Sequence, residues 1–595
     1  MSTAILTGQP VPGSSLESDL RSLGFDVRLA DEAGDAETLL AAVPADQRVA
    51  VVDARFVGHL HALRLGLTDP RFAASALPGA VSVQPEARRA LTRAVAREGS
   101  ASGGLAVATD NLAERLTAAL DADGVVVFRP ELGTLVAAVP ADPQERNEVR
   151  QAVSAVDDEA VRLRSAVKAR DGFFTTYCIS PYSRYIARWC ARRGLTPNQV
   201  TTASLLTALI AAGCAATGTR AGFVAAGLLL LFSFVLDCTD GQLARYSLQY
   251  STLGAWLDAT FDRAKEYAYY AGLALGAARG GDDVWALALG AMILQTCRHV
   301  VDFSFNEANH DATANTSPTA ALSDKLDSVG WTVWVRRMIV LPIGERWAMI
   351  AVLTALTTPR ITFYALLVGC AFAATYTTAG RVLRSLTRKA RRTDRAAQAL
   401  ADLADNGPLA SLVARATRVR LGAPLLVALG GTAVLAVSLF SGVTWAPVAG
   451  AVVYTVTSGQ ALYRPLKGAL DWLVPPLFRA AEYLTVLVLA AKADVNGALP
   501  AAFGLVAAVA YHHYDTVYRI RGNAGAPPHW LVRAIGGHEG RTLLVTVLAA
   551  LLTAAQFKVA LTALAVAVAL LVLVESIRFW VSSGAPAVHD EGEPA

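Results

Sequence analysis

The sequence predicts two structural classes in one chain: an α/β soluble domain at the N-terminus, then an all-α polytopic membrane protein. Three observations carry that expectation. Of 595 residues, 54% are hydrophobic and only 17% charged, with a mean hydropathy of +0.40. Soluble domains carry roughly 25% charge, and disordered chains are poor in apolar residues, so both classes are excluded for the chain as a whole. The charge is also divided. Residues 1–165 hold 23 Asp/Glu against 16 Lys/Arg, whereas residues 166–595 hold 26 against 37, so the net charge of +4 combines a head of −7 with a body of +11. Finally, the hydrophobic pattern changes from short alternating segments to runs near the ~20 residues that cross a bilayer.

In residues 1–165, β-like runs (Ala4–Leu6, Val49–Val52, Gly124–Phe128) alternate with helical stretches (Ser15–Leu23, Pro85–Ala96, Asn111–Leu120). Strands alternating with helices predict a three-layer α/β domain. The loop Thr7-Gly8-Gln9-Pro10-Val11-Pro12-Gly13 follows the first strand, where loops can approach phosphates. It holds no Lys or Arg and matches neither a P-loop nor GxGxxG, so it reads as a structural turn. A polar helix is expected over Pro143–Arg170, with Asp142 as its cap and Pro143 in its first turn. Met1–Pro10 lacks the basic start and apolar run of a signal peptide, which places the head in the cytoplasm. The six cysteines have no CxxC spacing and read as reduced, buried residues.

From Thr196 onward six spans are expected, at about 199–217, 221–243, 253–277, 284–305, 345–358 (short) and 361–383. Residues 181–194 set Tyr185, Ile186 and Trp189 among Arg184, Arg188, Arg192 and Arg193, the composition of a helix lying in the membrane interface. A second basic run, Arg381 through Arg395, follows the sixth span. Both belong on the cytoplasmic side by the positive-inside rule, as an even number of spans requires.

Two of these spans carry charges that hydrocarbon rejects. One ends Asp237-Cys238-Thr239-Asp240-Gly241-Gln242-Leu243-Ala244-Arg245, and the next begins Gly254-Ala255-Trp256-Leu257-Asp258-Ala259-Thr260-Phe261-Asp262-Arg263. Spacings of three and four pair Asp237 with Asp240, and Asp258 with Asp262, on one face of each helix. Four carboxylates on adjacent helices need cations between them. Hard oxygen ligands suit Mg²⁺, Mn²⁺ or Ca²⁺, and two such ions make a clamp for phosphoryl transfer. Gly241 and Gly254 leave room for a ligand, and Arg245 offers a fork for phosphate.

The run Asp237-x2-Asp240-Gly241-x2-Ala244-Arg245-x8-Gly254-x3-Asp258-x3-Asp262 resembles the signature of the CDP-alcohol phosphotransferase family at all eight fixed positions, and Leu195-Thr196-Pro197-Asn198-Gln199-Val200-Thr201 is similar to the stretch preceding it. The resemblance covers about residues 166–395. It implies a six-helix membrane domain that displaces CMP from a CDP-linked alcohol with a second alcohol. By position, Asp237, Asp240, Asp258 and Asp262 would hold two divalent ions, Mg²⁺ or Mn²⁺. Asp262 would also be the general base, and Gly241, Ala244, Arg245 and Gly254 would line the cytidine diphosphate site. Arg298, Arg336, Arg337 and Arg346 are candidates for an anionic acceptor, with positive-inside anchoring the competing reading for Arg336 and Arg337. The implied partners are a CDP-alcohol donor (CDP-diacylglycerol or a CDP-inositol-like compound), an alcohol or phospho-alcohol acceptor and the bilayer, with no nucleic acid. The implied location is the inner cell membrane, in multiple passes. A head joined through Lys168-Ala169-Arg170-Asp171-Gly172-Phe173 resembles fusions with a nucleotidyltransferase-like domain that makes CDP-inositol, although this head lacks their Gly-rich, basic start.

Residues 415–582, after a linker at 396–414, hold about six further apolar segments and precede an acidic tail at 583–595. Thr457-Ser458-Gly459-Gln460 parallels Thr239-Asp240-Gly241-Gln242. Trp472-Leu473-x5-Arg479-Ala480-Ala481-Glu482-Tyr483 parallels Trp256-Leu257-x5-Arg263-Ala264-Lys265-Glu266-Tyr267. His512-x2-Asp515 parallels His299-x2-Asp302, and Arg541 parallels Arg346. Thr455, Ser458, Val474 and Phe478 stand where the four aspartates would be, so a second, metal-free copy is expected. Such a copy could take the partner's place in a family that forms homodimers, giving an internal pseudo-dimer. His512, His513, Asp515, Arg519, His538 and Glu539 read as a retained polar network rather than a zinc or proton-relay site. Two other functions remain open: a transporter or channel, and a bifunctional enzyme whose head makes the CDP-alcohol from CTP.

Overall fold

The computed structural model describes residues 2–31, 33–101, 111–168, 171–312, 334, 338–387, 390–416 and 422–582. The chain forms two compact units. The first comprises Met1–Ala169, Tyr182–Pro197 and Thr239–Tyr250, and the second Arg170–Pro181, Asn198–Cys238 and Ser251–Ala595.

The first unit is built on a six-stranded sheet. Its strands are β1 (Ser2–Thr7), β2 (Phe25–Ala30), β3 (Arg48–Asp53), β5 (Ala74–Leu77), β6 (Ala80–Val83) and β7 (Val127–Phe128), in the order β2-β1-β3-β6-β5-β7. β6 runs antiparallel to β3 and β5, and the other pairings are parallel. A small antiparallel pair, β4 (Val57–Gly58) with β8 (Ala137–Ala138), lies apart from this sheet. Side chains alternate across the strands, which gives the sheet two apolar faces. Ile5, Val49, Val51, Val81 and Val83 pack with residues of α2 (Ala33–Ala41), α4 (Arg88–Ala101) and α5 (Leu112–Ala122). Ala4, Leu6, Ala50, Val52 and Ala80 pack with α1 (Leu16–Ser22) and α3 (Leu60–Leu67). The expected three layers are therefore present, helices on both faces of a mixed sheet. The Thr7–Gly13 loop turns through Gly8 and Gly13, both at positive φ (90° and 75°), conformations that cost glycine little.

One expected helix is two. Asp142 does cap α6 (Pro143–Ser154) by accepting from the Glu145 N–H at 2.8 Å, with Pro143 in the first turn. The helix stops at Ser154, and Asp157 starts α7 (Asp158–Ser165) by accepting from the Ala160 N–H at 3.1 Å. A second capping aspartate competes with helix continuation here. α7 packs on the end of α10 (Arg220–Ser247) that belongs to the same unit. The Arg162 guanidinium lies 3.5 Å from the Tyr246 ring centre and donates to the Tyr246 carbonyl, and Tyr246 donates to Glu159 at 2.9 Å. Leu163, Ala166 and Tyr246 close the contact with a small buried cluster. Helix α8 (Ser180–Arg192) lies where the interfacial helix is expected. Tyr182, Tyr185 and Trp189 are exposed along it, and Ser183 donates to Gln242 at 2.8 Å.

The second unit is helical. Its described helices include α9 (Pro197–Ala216), the Arg220–Cys238 part of α10, α11 (Thr252–Arg279), α12 (Trp285–Asn309), α13 (Ile343–Leu356) and α14 (Pro359–Thr387). Further on come α15 (Asp394–Ala404), α16 (Pro408–Ala416), α17 (Pro424–Leu439), α18 (Trp445–Ala461), α19 (Val474–Lys492), α20 (Ala498–Arg521), α21 (His529–Ala534), α22 (Gly537–Leu551) and α23 (Ala554–Ser582). Among the described residues, five helical segments are long and apolar enough to cross a bilayer: Pro197–Ala216, Arg220–Ser247, Pro359–Thr387, Asp471–Lys492 and Ala554–Ser582. Each of the two apolar halves ends with a short helix followed by one of 29 residues: 14 residues in α13 before α14, and 15 in α22 before α23. The halves pack together, α12 lying along α19 and α20, with Phe305 edge-on to Trp472 and Trp256 stacked on Trp580 at 6.1 Å.

The segment 396–414 is not a linker. It forms most of α15 and α16, whose Leu400, Leu403 and Ala410 are buried, and the turn between them places Asp405 in the interior at a φ of 57°. Its apolar residues recur at helical spacing and pack in one buried cluster with residues of α12 and α19. All six cysteines are free, as expected. Only Cys190 and Cys370 are fully buried, and Cys178 is exposed.

Candidate metal centre

The site is assembled by two consecutive helices. α10 delivers Asp237 and Asp240 one turn apart. α11 starts at a cap in which Ser251 accepts from the Gly254 N–H at 3.0 Å, and it delivers Asp258 and Asp262 on successive turns. Gly254 fits because a Cβ there would lie 2.7 Å from Asn198 Oδ1 and 2.8 Å from Ser251 Oγ. The motif glycine and the asparagine of the preceding Thr196-Pro197-Asn198 stretch are thus one packing unit.

Asp237, Asp240 and Asp258 each bring a carboxylate oxygen within 4.8 Å of the others, with Asp240 buried, Asp237 half-buried and Asp258 exposed. Three hard oxygen donors this close, open on one side, fit a divalent ion of the Mg²⁺ or Mn²⁺ class. Asp262 and Asp237 share a buried cation. The Lys265 ammonium bonds Asp237, lies 2.9 Å from Asp262 Oδ1 and donates to Ser204 Oγ at 3.2 Å, with no exposure of its side chain. The sequence reading named neither Lys265 nor Ser204 as site residues. The available signal was a lysine three residues after Asp262, inside an apolar helix.

Of the expected nucleotide contacts, Arg245 donates its Nε to the Ala166 carbonyl at 2.6 Å. A Cβ on Gly241 would meet only the flexible Arg245 guanidinium, at 3.4 Å, so that glycine keeps the face beside the arginine open. Ala244 is half-buried on the same helix. The acceptor candidates divide. Arg336 and Arg337 lie outside the described residues. Arg298 is buried and donates to the Val340 carbonyl. Neighbouring His299 meets Gln295 at 2.7 Å and the Tyr514 hydroxyl, and Asp302 pairs with Arg381. Arg346 lies in a buried ion-pair network. It pairs with Glu266 at 3.3 Å, while Arg263 pairs with the same carboxylate at 2.7 Å and Tyr270 donates to it at 2.7 Å, all of them buried.

That arrangement has a counterpart in the second half. Glu482 receives Arg479 at 2.9 Å and Arg541 at 2.6 Å, and Asp405 receives both arginines and His512. Thr455 and Ser458 donate back to helix carbonyls, and Phe478 stacks on His538 at 4.3 Å. His538 also bonds Tyr454 and Asn406, and Glu539 accepts from the Gly407 and Ala410 N–H groups. Most of these polar groups bond one another in a buried network.

Comparison with known proteins agrees with the carboxylate motif. Residues 194–375 match the family model described as CDP-alcohol phosphatidyltransferase, and residues 394–595 match one described as a family of unknown function. A phosphatidylinositol phosphate synthase of Streptomyces avermitilis is 32% identical over 130 residues, which is 21% of this chain and 51% of that protein. An archaetidylinositol phosphate synthase of Pyrococcus horikoshii is 31% identical over 113 residues (19% and 58%). A bifunctional IPC transferase and DIPP synthase of Aquifex aeolicus is 31% identical over 114 residues (19% and 26%). The chain spans between a quarter and somewhat over half the length of these relatives.

Proposed function

We propose, from the premise that residues 194–375 belong to the CDP-alcohol phosphatidyltransferase family, that the protein is a membrane transferase moving a phospho-alcohol group from a CDP-alcohol to an acceptor alcohol. CMP is the leaving group. The observation that carries this reading is the convergence of Asp237, Asp240 and Asp258, three carboxylates of one eight-position motif, at a membrane-embedded helix pair. A bound divalent ion would supply charge neutralisation for the diphosphate. The chain's own residues do the rest. Asp262 takes the proton of the acceptor hydroxyl as the acceptor oxygen bonds to phosphorus and the bond from phosphorus to the CMP oxygen breaks. Arg245, beside the open face of Gly241, orients the diphosphate through its fork of donors.

The names of all three relatives described above concern inositol phosphates or the IPC transferase reaction, which supports an inositol-phosphate-type lipid product. The head faces the cytoplasm in this reading, and the membrane is the inner cell membrane. The second half is a duplicated copy without its carboxylates, standing in for a partner subunit. Its support is the shared Arg-Glu-Arg network and the stacking of Trp580 on Trp256, two residues before Asp258 on α11.

The test offers purified protein CDP-diacylglycerol and CDP-inositol with a panel of acceptors and identifies products by mass spectrometry. Asp262→Asn is expected to abolish CMP release while leaving the fold intact. CMP release at the wild-type rate in that variant overturns the base assignment. Ion flux in proteoliposomes without CMP formation overturns the enzyme reading altogether.

A further inference from the structure

The residue at the site that the transfer chemistry leaves unused is Lys265. Its ammonium is wholly buried inside a membrane helix, where an unpaired charge is untenable. It donates hydrogen bonds to Asp237 and Ser204 and forms an ion pair with Asp262. Asp237 is shared: it belongs to the three-carboxylate cluster and to the lysine at once.

The second half supplies an internal control. At the aligned positions Arg263, Glu266 and Arg346 persist as Arg479, Glu482 and Arg541, with the same pairing geometry. Lys265 does not persist. Its counterpart is Ala481, and the counterparts of its two carboxylate partners are Thr455 and Phe478. A lysine serving the helix bundle would remain with the Arg-Glu-Arg network. This one is missing together with the carboxylates, so its role is tied to them.

We infer that Lys265 is a resident counter-ion of the carboxylate centre. Its ammonium holds Asp237 and Asp262 together in the absence of a divalent cation, and competes with that cation for Asp237. The inference rests on reading Asp237, Asp240 and Asp258 as the metal site. Lys265 is a positioning residue, because it acts on the carboxylates and not on the substrate. Its presence weakens cation binding in the resting protein and spares the helices the repulsion of four bare carboxylates.

The experiment is Mn²⁺ titration of the full-length protein in detergent, by calorimetry, together with thermal unfolding in EDTA and in Mn²⁺. Lys265→Met keeps the length of the side chain and removes the charge. It is expected to bind Mn²⁺ at least tenfold more tightly than wild type, to unfold at a lower temperature in EDTA, and to gain more from added Mn²⁺. Lys265→Arg retains the charge and is expected to stay within threefold of wild-type affinity. A Lys265→Met affinity within threefold of wild type overturns the inference. If Lys265→Met folds only with Mn²⁺ present, the rate of Mn²⁺ release to excess chelator replaces the titration, and a rate equal to wild type overturns it equally. Failure of the wild-type protein to bind Mn²⁺ at all refutes the metal site itself, a separate result.

Discussion

Replacing Glu266 by Gln removes the only carboxylate that Arg263 and Arg346 share in the described first-half network. All three side chains are at most 9% exposed, so water cannot take the carboxylate's place. Breaking a buried ion pair by removing one partner costs about 3–5 kcal/mol, because the remaining charge is left uncompensated. Here two guanidiniums are left, which puts Glu266→Gln at the upper end of that range. The matching change in the second half, Glu482→Gln, differs in one respect. Asp405 still accepts from Arg479 at 3.1 Å and from Arg541 at 2.9 Å, so the two guanidiniums keep a carboxylate between them. Its cost should fall to about 1–3 kcal/mol, the range for losing one hydrogen-bonded partner. The assay is equilibrium unfolding in mixed micelles by SDS titration, with each variant compared to wild type. Glu482→Gln proving as costly as Glu266→Gln, or more so, would refute the argument that Asp405 shares the load.

The remaining predictions concern the head and the start of α11. Burial lowers the His61 imidazole to about 3, with the neighbouring Arg162 and Arg64 charges acting in the same direction. The folded head therefore keeps His61 neutral, while the unfolded chain protonates it as pH falls below about 6.5. Stability should fall by about 1.4 kcal/mol per pH unit below that point, or about 2 kcal/mol by pH 5. Comparing urea midpoints for proteolysis of the head at pH 7 and pH 5 checks this, and His61→Leu should flatten the difference. Gly254→Ala forces a methyl against Asn198 and the Ser251 cap and should cost about 1–2 kcal/mol. Because Asp258 follows one turn later, CMP release should fall as well, and wild-type values in both thermal unfolding and CMP release would contradict the packing described for Gly254.

Much of the molecule was legible in the sequence because its signals are local. Apolar runs locate the helices α9 through α14 to within a few residues, and α9, α10 and α14 are long and apolar enough to cross a bilayer. The motif spacing places Asp237 with Asp240, and Asp258 with Asp262, because helical periodicity is a property of the chain alone. Capping chemistry likewise located the start of α6 at Asp142. The same local reasoning failed at Asp157, where it took two helices for one, and at residues 396–414, which it read as a linker although they form buried helices. Asp405 is buried there because Arg479, Arg541 and His512 converge on it from three helices distant in sequence.

What the sequence determined by itself was an α/β head before a mostly helical body with several apolar helices, and the helical spacing of the four aspartates. Only the tertiary structure decided which charges answer one another. It grouped three aspartates, set Lys265 between Asp237 and Asp262, and paired Arg346 with Glu266. The physical reason is that an ion pair in a membrane helix is specified by distance across helices. Burial makes each such pairing obligatory, yet sequence spacing records only the residues that share a helix.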